Sequence, residues 1–160
     1  MASCEIQLRS YQPADFETLY RIDQACFPKG IAYGRSDLKM YLGSPGANCL
    51  LAEISGEVGG YILTSRSGEI GHVVTLDVLG PYRRKNAGSA LLEAAEQKVA
   101  SNGVKIMVLE TAIYNKPAIA FWNKHGYRQF VIIRNYYGRG LDAFKMQKLL
   151  ERKSWIEVTS

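Results

Sequence analysis

The clearest alternation in the chain runs from His72 to Val78, where Val74, Leu76 and Val78 alternate with Val73, Thr75 and Asp77. That period of two predicts a strand. His72 shares the parity of Val74, Leu76 and Val78, so it either faces a cleft or fills core. Beyond Gly80-Pro81, the cations Arg83, Arg84 and Lys85 and the triplet Asn86-Ala87-Gly88, the period changes. Leu91, Leu92, Ala95 and Val99 then fall on one face of a helix.

The rest of the pattern can be taken in order. Ile6 and Leu8 predict a first strand ending near Pro13. Pro13 suits the first turn of a helix whose buried stripe is Phe16, Leu19, Ile22 and Cys26. Ser36 is placed to cap a short second helix ending near Leu42. Residues 48–54 and 58–65 predict two strands joined at Gly56, and Ser67-Gly68 turns the chain into the strand of His72. Asn102-Gly103 is a helix stop. The apolar run 105–111 predicts a strand at the centre of the sheet. Asn115-Lys116-Pro117 opens a helix over 118–124 that His125-Gly126 closes, and 127–134 with 142–149 read as a closing strand pair. The tail from Glu151 has no pattern, and there are no repeats or linkers. The expectation is one mixed α/β (α+β) domain over residues 5–150, strands outnumbering helices, with a tail over 151–160.

Composition narrows this little. The 160 residues suit one domain with a real core. The 47% hydrophobic and 22% charged residues are a globular balance. No apolar run reaches the ~20 residues of a membrane span, and the first ten residues carry no signal-peptide core. The expectation is a soluble, cytoplasmic protein with no membrane partner. Its net charge of +5 fits a polyanionic cofactor or nucleic acid. The cations are scattered without interleaved aromatics, which argues against nucleic acid. Cys4, Cys26 and Cys49 are far apart and lack metal spacing. Cys26 and Cys49 sit in apolar company as reduced core residues, and a metal or thiol mechanism is not expected.

Strand, basic small-residue loop and helix start together make an anion site, because the first N–H groups of a helix lack intrahelical partners. A basic surface loop is the alternative. Neither GxxxxGK[ST] nor GxGxxG is present. Arg83 to Gly88 instead resembles the pyrophosphate loop of the GNAT acetyltransferase superfamily, Arg/Gln-x-x-Gly-x-Gly/Ala, with Asn86 in place of the first glycine. Asn tolerates a left-handed backbone better than most residues. A second stretch, Asn115-x-x-Ala118-x-x-Phe121-Trp122-x-x-x-Gly126-Tyr127, resembles the family's Asn-x-x-Ala-x-x-Phe/Leu-Tyr-x-x-x-Gly-Phe. The resemblance covers roughly residues 5 to 150.

Within that superfamily the chain looks most like protein N-terminal acetyltransferases. These include the bacterial enzymes that modify a ribosomal protein and the catalytic subunits of archaeal and eukaryotic Nα-acetyltransferases. The carriers are His72-x-x-Thr75-Leu76-x-Val78, Pro81-Tyr82-Arg83-Arg84, and Asn135-Tyr136-Tyr137 followed by Asp142-Ala143. The resemblance implies a GNAT fold: a mixed, mostly antiparallel sheet of six to seven strands flanked by about four helices. It implies direct transfer of acetyl from acetyl-CoA to an amine, foremost a protein N-terminus, by a monomer or homodimer. A small-molecule amine acetyltransferase and a non-catalytic acyl-CoA-binding module are the alternatives.

The chemistry assigns candidate roles. An α-amine with pKa ~7.7–8.0 needs only modest help to lose its proton near neutrality. Glu110, at the end of a buried strand, matches the family's general base, and apolar surroundings would raise its pKa toward working pH. The alternative is an idle rim carboxylate. His72, matching a tyrosine in some relatives, is a supporting candidate. The resemblance implies that Leu76, Asp77 and Val78 offer backbone groups to acetyl-CoA, with the strand ending at Glu110 splaying away. It assigns Arg83, Arg84, Lys85, Asn86, Ala87, Gly88, Ser89 and Ala90 to the pyrophosphate. Trp122 stands where most relatives have a tyrosine that protonates the leaving thiolate. An indole N–H cannot do that, though it can pack on the pantetheine arm. Tyr137 is a substitute donor, or grips substrate together with Tyr136. Asn115 bonds pantetheine or caps its helix. Phe27, Pro28 and Tyr33 line the peptide side, or staple a helix end.

Overall fold

The computed structural model describes residues 5–150. Its elements are β1 (Ile6–Ser10), α1 (Phe16–Cys26), α2 (Arg35–Leu42), β2 (Asn48–Ile54), β3 (Glu57–Ser67) and β4 (Ile70–Val78). These are followed by α3 (Ala87–Ser101), β5 (Ile106–Ala112), α4 (Lys116–Lys124), β6 (Arg128–Ile133) and β7 (Ala143–Leu149). The seven strands form one sheet in the order β1-β2-β3-β4-β5-β7-β6. Every neighbouring pair is antiparallel except β4 and β5. This is the mixed α/β sheet with four helices that the pattern predicts. The tail from Glu151 and Cys4 lie outside the described residues.

Each face of the sheet buries its own cluster. One packs Leu91, Leu92, Ala95 and Val99 of α3 against Ile62, Val73, Met107 and Leu109, with Trp122 of α4 and Tyr127 beside them. The other packs Leu19 and Ile22 of α1 and Leu38 of α2 against Leu51, Tyr61, Leu63 and Val74. Burying a large aliphatic side chain contributes roughly 1.5–3 kcal/mol, so these two apolar seams hold the helices on. A polar contact adds direction. Glu96 of α3 accepts from Tyr127 Oη at 2.8 Å and from Lys148 Nζ of β7 at 2.9 Å.

The parallel pair is short. Ile70, Gly71 and His72 oppose Ile106, Met107 and Val108, and pairing stops there. Strand β4 continues along β3 to Val78, and β5 continues along β7 to Ala112. The two strands therefore diverge, and among the described residues the edge of β4 that faces β5 has no strand partner beyond His72.

Three local expectations need correction. Gly34, not Ser36, stands at the N-cap of α2, and no side chain caps it. Pro13–Asp15 forms a 3₁₀ turn before α1, with the Asp15 carboxylate accepting from the Gln12 N–H in a capping box. The β3–β4 register shifts between Leu63 and Thr64, which pair with Thr75 and Val73. That leaves Val74 as an extra residue in β4, a bulge that re-aims what precedes it. Val73, Leu76 and Val78 pack in the α3 cluster, whereas Val74 packs in the α1–α2 cluster. His72 therefore does not share a face with Leu76 and Val78, as uninterrupted alternation implies.

Candidate functional site

The divergence of β4 and β5 opens a cleft between the two faces. It is lined by Val73 to Leu76 of β4, Leu109 to Ala112 of β5, the loop after α1, and Asn115, Ala118 and Trp122 around α4. Tyr137 closes one side.

Glu110 lines this cleft, and His72, which lines a neighbouring groove with Met40, Tyr41 and Ser65, meets it through the side chains. His72 Nε2 lies 3.0 Å from Glu110 Oε1 and 3.2 Å from Oε2. A carboxylate only accepts, so Nε2 carries the proton and donates. Tyr136 Oη donates to the same Oε1 at 3.0 Å. The Asn135-Tyr136-Tyr137 turn that delivers it uses a left-handed Asn135, with φ +56°. Asn135 Oδ1 accepts from the Gly140 N–H at 2.7 Å, and Asp142 Oδ1 accepts from the Asn135 N–H at 2.8 Å.

These partners reverse the expectation for Glu110. Burial acts to raise its pKa, but the donors His72 and Tyr136 and the charge of Lys145 outweigh burial and hold it below its ordinary value. The apolar strand that precedes Glu110 does not govern it, because its carboxylate ends among polar groups. Burial and the nearby Glu110 charge push the Tyr136 hydroxyl up, and burial does the same for Tyr137. Tyr137 lines the cleft, yet a raised hydroxyl is a weaker proton donor to a thiolate.

On the acceptor side, Phe27, Pro28, Ile31 and Tyr33 line the cleft. Tyr33 Oη donates to the carbonyl of Val74 at 3.2 Å, bonding the loop to the bulge. Cys26 Sγ donates to the carbonyl of Val78 at 3.4 Å, and burial pushes its thiol up to about 11. Cys49 is pushed up to about 12 by burial. Cys49 is a buried core thiol, as predicted, whereas Cys26 is only half-buried and lines the cleft.

On the other side, Asn86 precedes α3 with φ +64°, the left-handed conformation expected of the residue replacing glycine, and Arg84 has φ +65°. The first intrahelical bond runs from the Ala90 N–H to the Asn86 carbonyl, and the Asn86 side chain makes no cap bond. The N–H groups of Ala87, Gly88 and Ser89 thus precede the helical ladder, a favourable seat for phosphate. A Cβ on Gly88 would lie 3.4 Å from the Phe121 ring, so the backbone there is close-packed and bare. Arg83 Nε donates to the Val78 carbonyl at 2.9 Å, Arg84 and Lys85 are exposed, and Ser89 Oγ lies 2.9 Å from His125 Nε2.

Asn115 caps α4, its Oδ1 accepting from the Ala118 N–H at 3.3 Å. Trp122 is buried between Phe121 and Tyr127, with edge contacts at 5.1 and 5.4 Å, and one flank reaches the cleft. Asp77 is placed unlike its neighbours Leu76 and Val78. Its side chain turns toward Asp23 of α1, and the residue is almost wholly buried and does not line the cleft.

Sequence reasoning passed over Asp23, Tyr61 and Thr75, which cluster with Asp77. The signal was present: Asp23 stands four residues after Leu19, on the stripe that α1 buries.

The known proteins most informative here agree with this geometry. The profile of the Acetyltransferase (GNAT) family matches residues 16–127. An N-alpha-acetyltransferase of Sulfurisphaera tokodaii is 32% identical over 158 residues, covering 89% of this chain and 92% of its own. The crystal structure of Ard1 from Thermoplasma volcanium superposes with a TM-score of 0.82 at 25% identity, over 92% of this chain and 99% of that one. The ribosomal-protein-S18-alanine N-acetyltransferase from Escherichia coli has the same fold, with a TM-score of 0.80 at 23% identity over 92% and 96% of the two chains. Both the diverging strands and the left-handed loop before α3 fall inside the matched residues, and this chain belongs to the GNAT family of acetyltransferases.

Proposed function

We propose that this protein transfers acetyl from acetyl-CoA to the N-terminal α-amine of a protein. The observation that carries the reading is the splay between β4 and β5, which puts Glu110, held from behind by His72, and the apolar loop of Phe27 to Tyr33 around one cleft. The relative of 32% identity that bears the name N-alpha-acetyltransferase supports the choice of amine.

Acetyl-CoA supplies a thioester whose carbonyl the amine nitrogen attacks, so that a C–N bond forms and the C–S bond breaks. The rest falls to the chain. The bare N–H groups at the start of α3, beside exposed Arg84 and Lys85, fit a pyrophosphate. The edge of β4 beyond His72, which pairs with no strand among the described residues, offers the backbone groups not taken by Tyr33, Cys26 and Arg83 to the acyl and pantetheine portions, with Trp122 and Asn115 flanking them. Glu110 is a carboxylate with two donors on Oε1 and spare acceptor capacity, and takes the amine proton directly or through one water. His72 and Tyr136 hold it in place. Phe27, Pro28, Tyr33 and Tyr137 receive the substrate's first residues.

No helix among the described residues is long and apolar enough to cross a membrane. The reading extends to a cytoplasmic protein, monomeric or homodimeric, with a catalytic domain over residues 5–150.

A thiol-release assay on a peptide panel, set against polyamines, free amino acids and lysine side chains, tests it. Peptides with a free α-amine should turn over best, and N-terminally blocked peptides should be inert. Preference for a free small amine would reassign the substrate, and acetyl-CoA binding without any turnover would reassign the protein to a binding module.

A further inference from the structure

Behind the acceptor side of the cleft lies a buried group of polar side chains that the transfer chemistry does not use. Asp23 of α1 and Asp77 of β4 are 0% and 1% exposed, and Tyr61 of β3 is 0% exposed. The two carboxyls are close enough to govern each other's ionisation, and Tyr61 lies beside Asp77. Each carboxyl has one oxygen with a donor: Asp23 Oδ2 accepts from the Tyr33 N–H at 2.6 Å, and Asp77 Oδ1 accepts from Thr75 Oγ1. The other oxygens, Asp23 Oδ1 and Asp77 Oδ2, are buried without a donor, and the Tyr61 hydroxyl is buried without a hydrogen-bond partner.

Two facing carboxylates cannot both stay charged at such burial, because their repulsion adds to the loss of water. One proton between them supplies the missing donor to both orphaned oxygens. Burial, then the charge of Asp23, pushes Asp77 well up, which places the proton there. Asp23, raised by burial but relieved by its bonds to Asp77 and the Tyr33 N–H, keeps the charge that holds Tyr33.

We propose that Asp23 and Asp77 share one proton and act as paired positioning residues, fixing the acceptor loop through the Tyr33 backbone. Tyr33 is then held at two points: its N–H by Asp23, and its hydroxyl by the carbonyl of Val74 at the bulge two residues beyond His72. The pair thus ties α1, β4 and the loop of Phe27 to Tyr33 into one unit around the acceptor. This role rests on the acyl-transfer reading above, but the structural part of it can be tested without any turnover.

The experiment has two arms. In the first, NMR follows the Asp77 carboxyl carbon and the hydrogen exchange of the Tyr33 amide at neutral pH. Asp77 should be protonated in the wild type and become a carboxylate in Asp23→Asn, whose amide then donates to it. Tyr33 exchange should be about a hundredfold faster in Asp23→Ala and close to wild type in Asp23→Asn, whose amide oxygen still accepts. An Asp77 ionised in the wild type, or protonated regardless of residue 23, overturns the shared proton. If Asp23→Ala does not fold, this carbon shift in Asp23→Asn still decides.

In the second arm, Asp23→Ala should raise the KM for peptide about tenfold, with kcat and the KM for acetyl-CoA within twofold, and Asp23→Asn should recover most of the loss. Equal effects on both substrates, or no effect on peptide, overturn the positioning role. Failure of every peptide to react would overturn the proposed acceptor while leaving the first arm to judge the pair.

Discussion

Glu110 and His72 belong to the two strands that part company, and their side chains meet at 3.0 Å just past the point where backbone pairing ends. His72 is the last paired residue of β4 on that side, and Glu110 stands two residues beyond its partner Val108. Their hydrogen bond spans the point where the strands part, holding a carboxylate where they have made room for a substrate.

Glu110→Gln keeps shape while removing basicity. It should lower kcat by roughly 10²–10⁴, the usual worth of general-base help, with acetyl-CoA affinity unchanged. Steady-state kinetics and calorimetry check the split. Undiminished kcat would move the proton to water or His72.

Because its surroundings depress the Glu110 pKa, the carboxylate is ionised throughout the neutral range. The rise of kcat/KM with pH should therefore follow the substrate amine near pKa ~8, with no limb from Glu110. For stability the sign is that of a lowered acid. Glu110 contributes above its unfolded pKa of about 4.3, and the contribution is lost as pH falls through the lower folded value. The Tm gap between wild type and Glu110→Gln should be full at pH 7 and close below about pH 4. A gap that widens on acidification contradicts the pairing.

Reversing charge in the loop before α3 should weaken acetyl-CoA. Arg83→Glu removes the bond to the Val78 carbonyl and sets a carboxylate beside the phosphate seat. A roughly ten- to hundredfold loss of affinity is expected from charge-assisted bonds of this kind. Gly88→Val should act similarly, since a Cβ there would already touch the Phe121 ring at 3.4 Å and the added γ-methyls would crowd the start of α3. Unchanged affinity by calorimetry in both variants would overturn the pyrophosphate assignment.

Trp122→Tyr should change turnover only several-fold, because a thiol of pKa near 8.5 leaves without full protonation. Trp122→Ala should lose cofactor affinity and destabilise the fold by roughly 3–5 kcal/mol, the range for deleting a buried aromatic. A hundredfold gain in Trp122→Tyr would show that a general acid is missing.

Gly60→Ala probes the seam between β3 and β4. A Cβ there would lie 2.6 Å from the Asp77 carbonyl and 3.2 Å from Val78 Cα, both backbone. The strand must move, so a loss of roughly 1–3 kcal/mol in chemical denaturation is expected. Acetyl-CoA affinity should fall with it, since the displaced segment is the one assigned to the cofactor. Wild-type stability would show that the strands part more freely than the packing implies.

Much of the site was legible because it depends on local conformation. Asn86 could be read as the left-handed residue before α3, and Asn115 as a cap, because both roles are settled within a few residues of chain. Gly34 displaced Ser36 at the α2 cap although the local signal favoured serine. There the loop pinned through Tyr33 to Asp23 sets where the helix starts.

The periodicities of the chain determined the order of strands and helices, the apolar stripes of α1 and α3, and the basic loop between β4 and α3. They could do so because each is written in residues two, three or four apart. The face of His72, the pKa of Glu110 and the meeting of Asp23 with Asp77 were decided only in the folded sheet. The Val74 bulge exists only against the register of β3. The donors that lower Glu110 come from positions 38 residues before it and 26 after it. A pattern of side chains records which residues are buried, but their charge state depends on partners that only the packed strands bring within 3 Å.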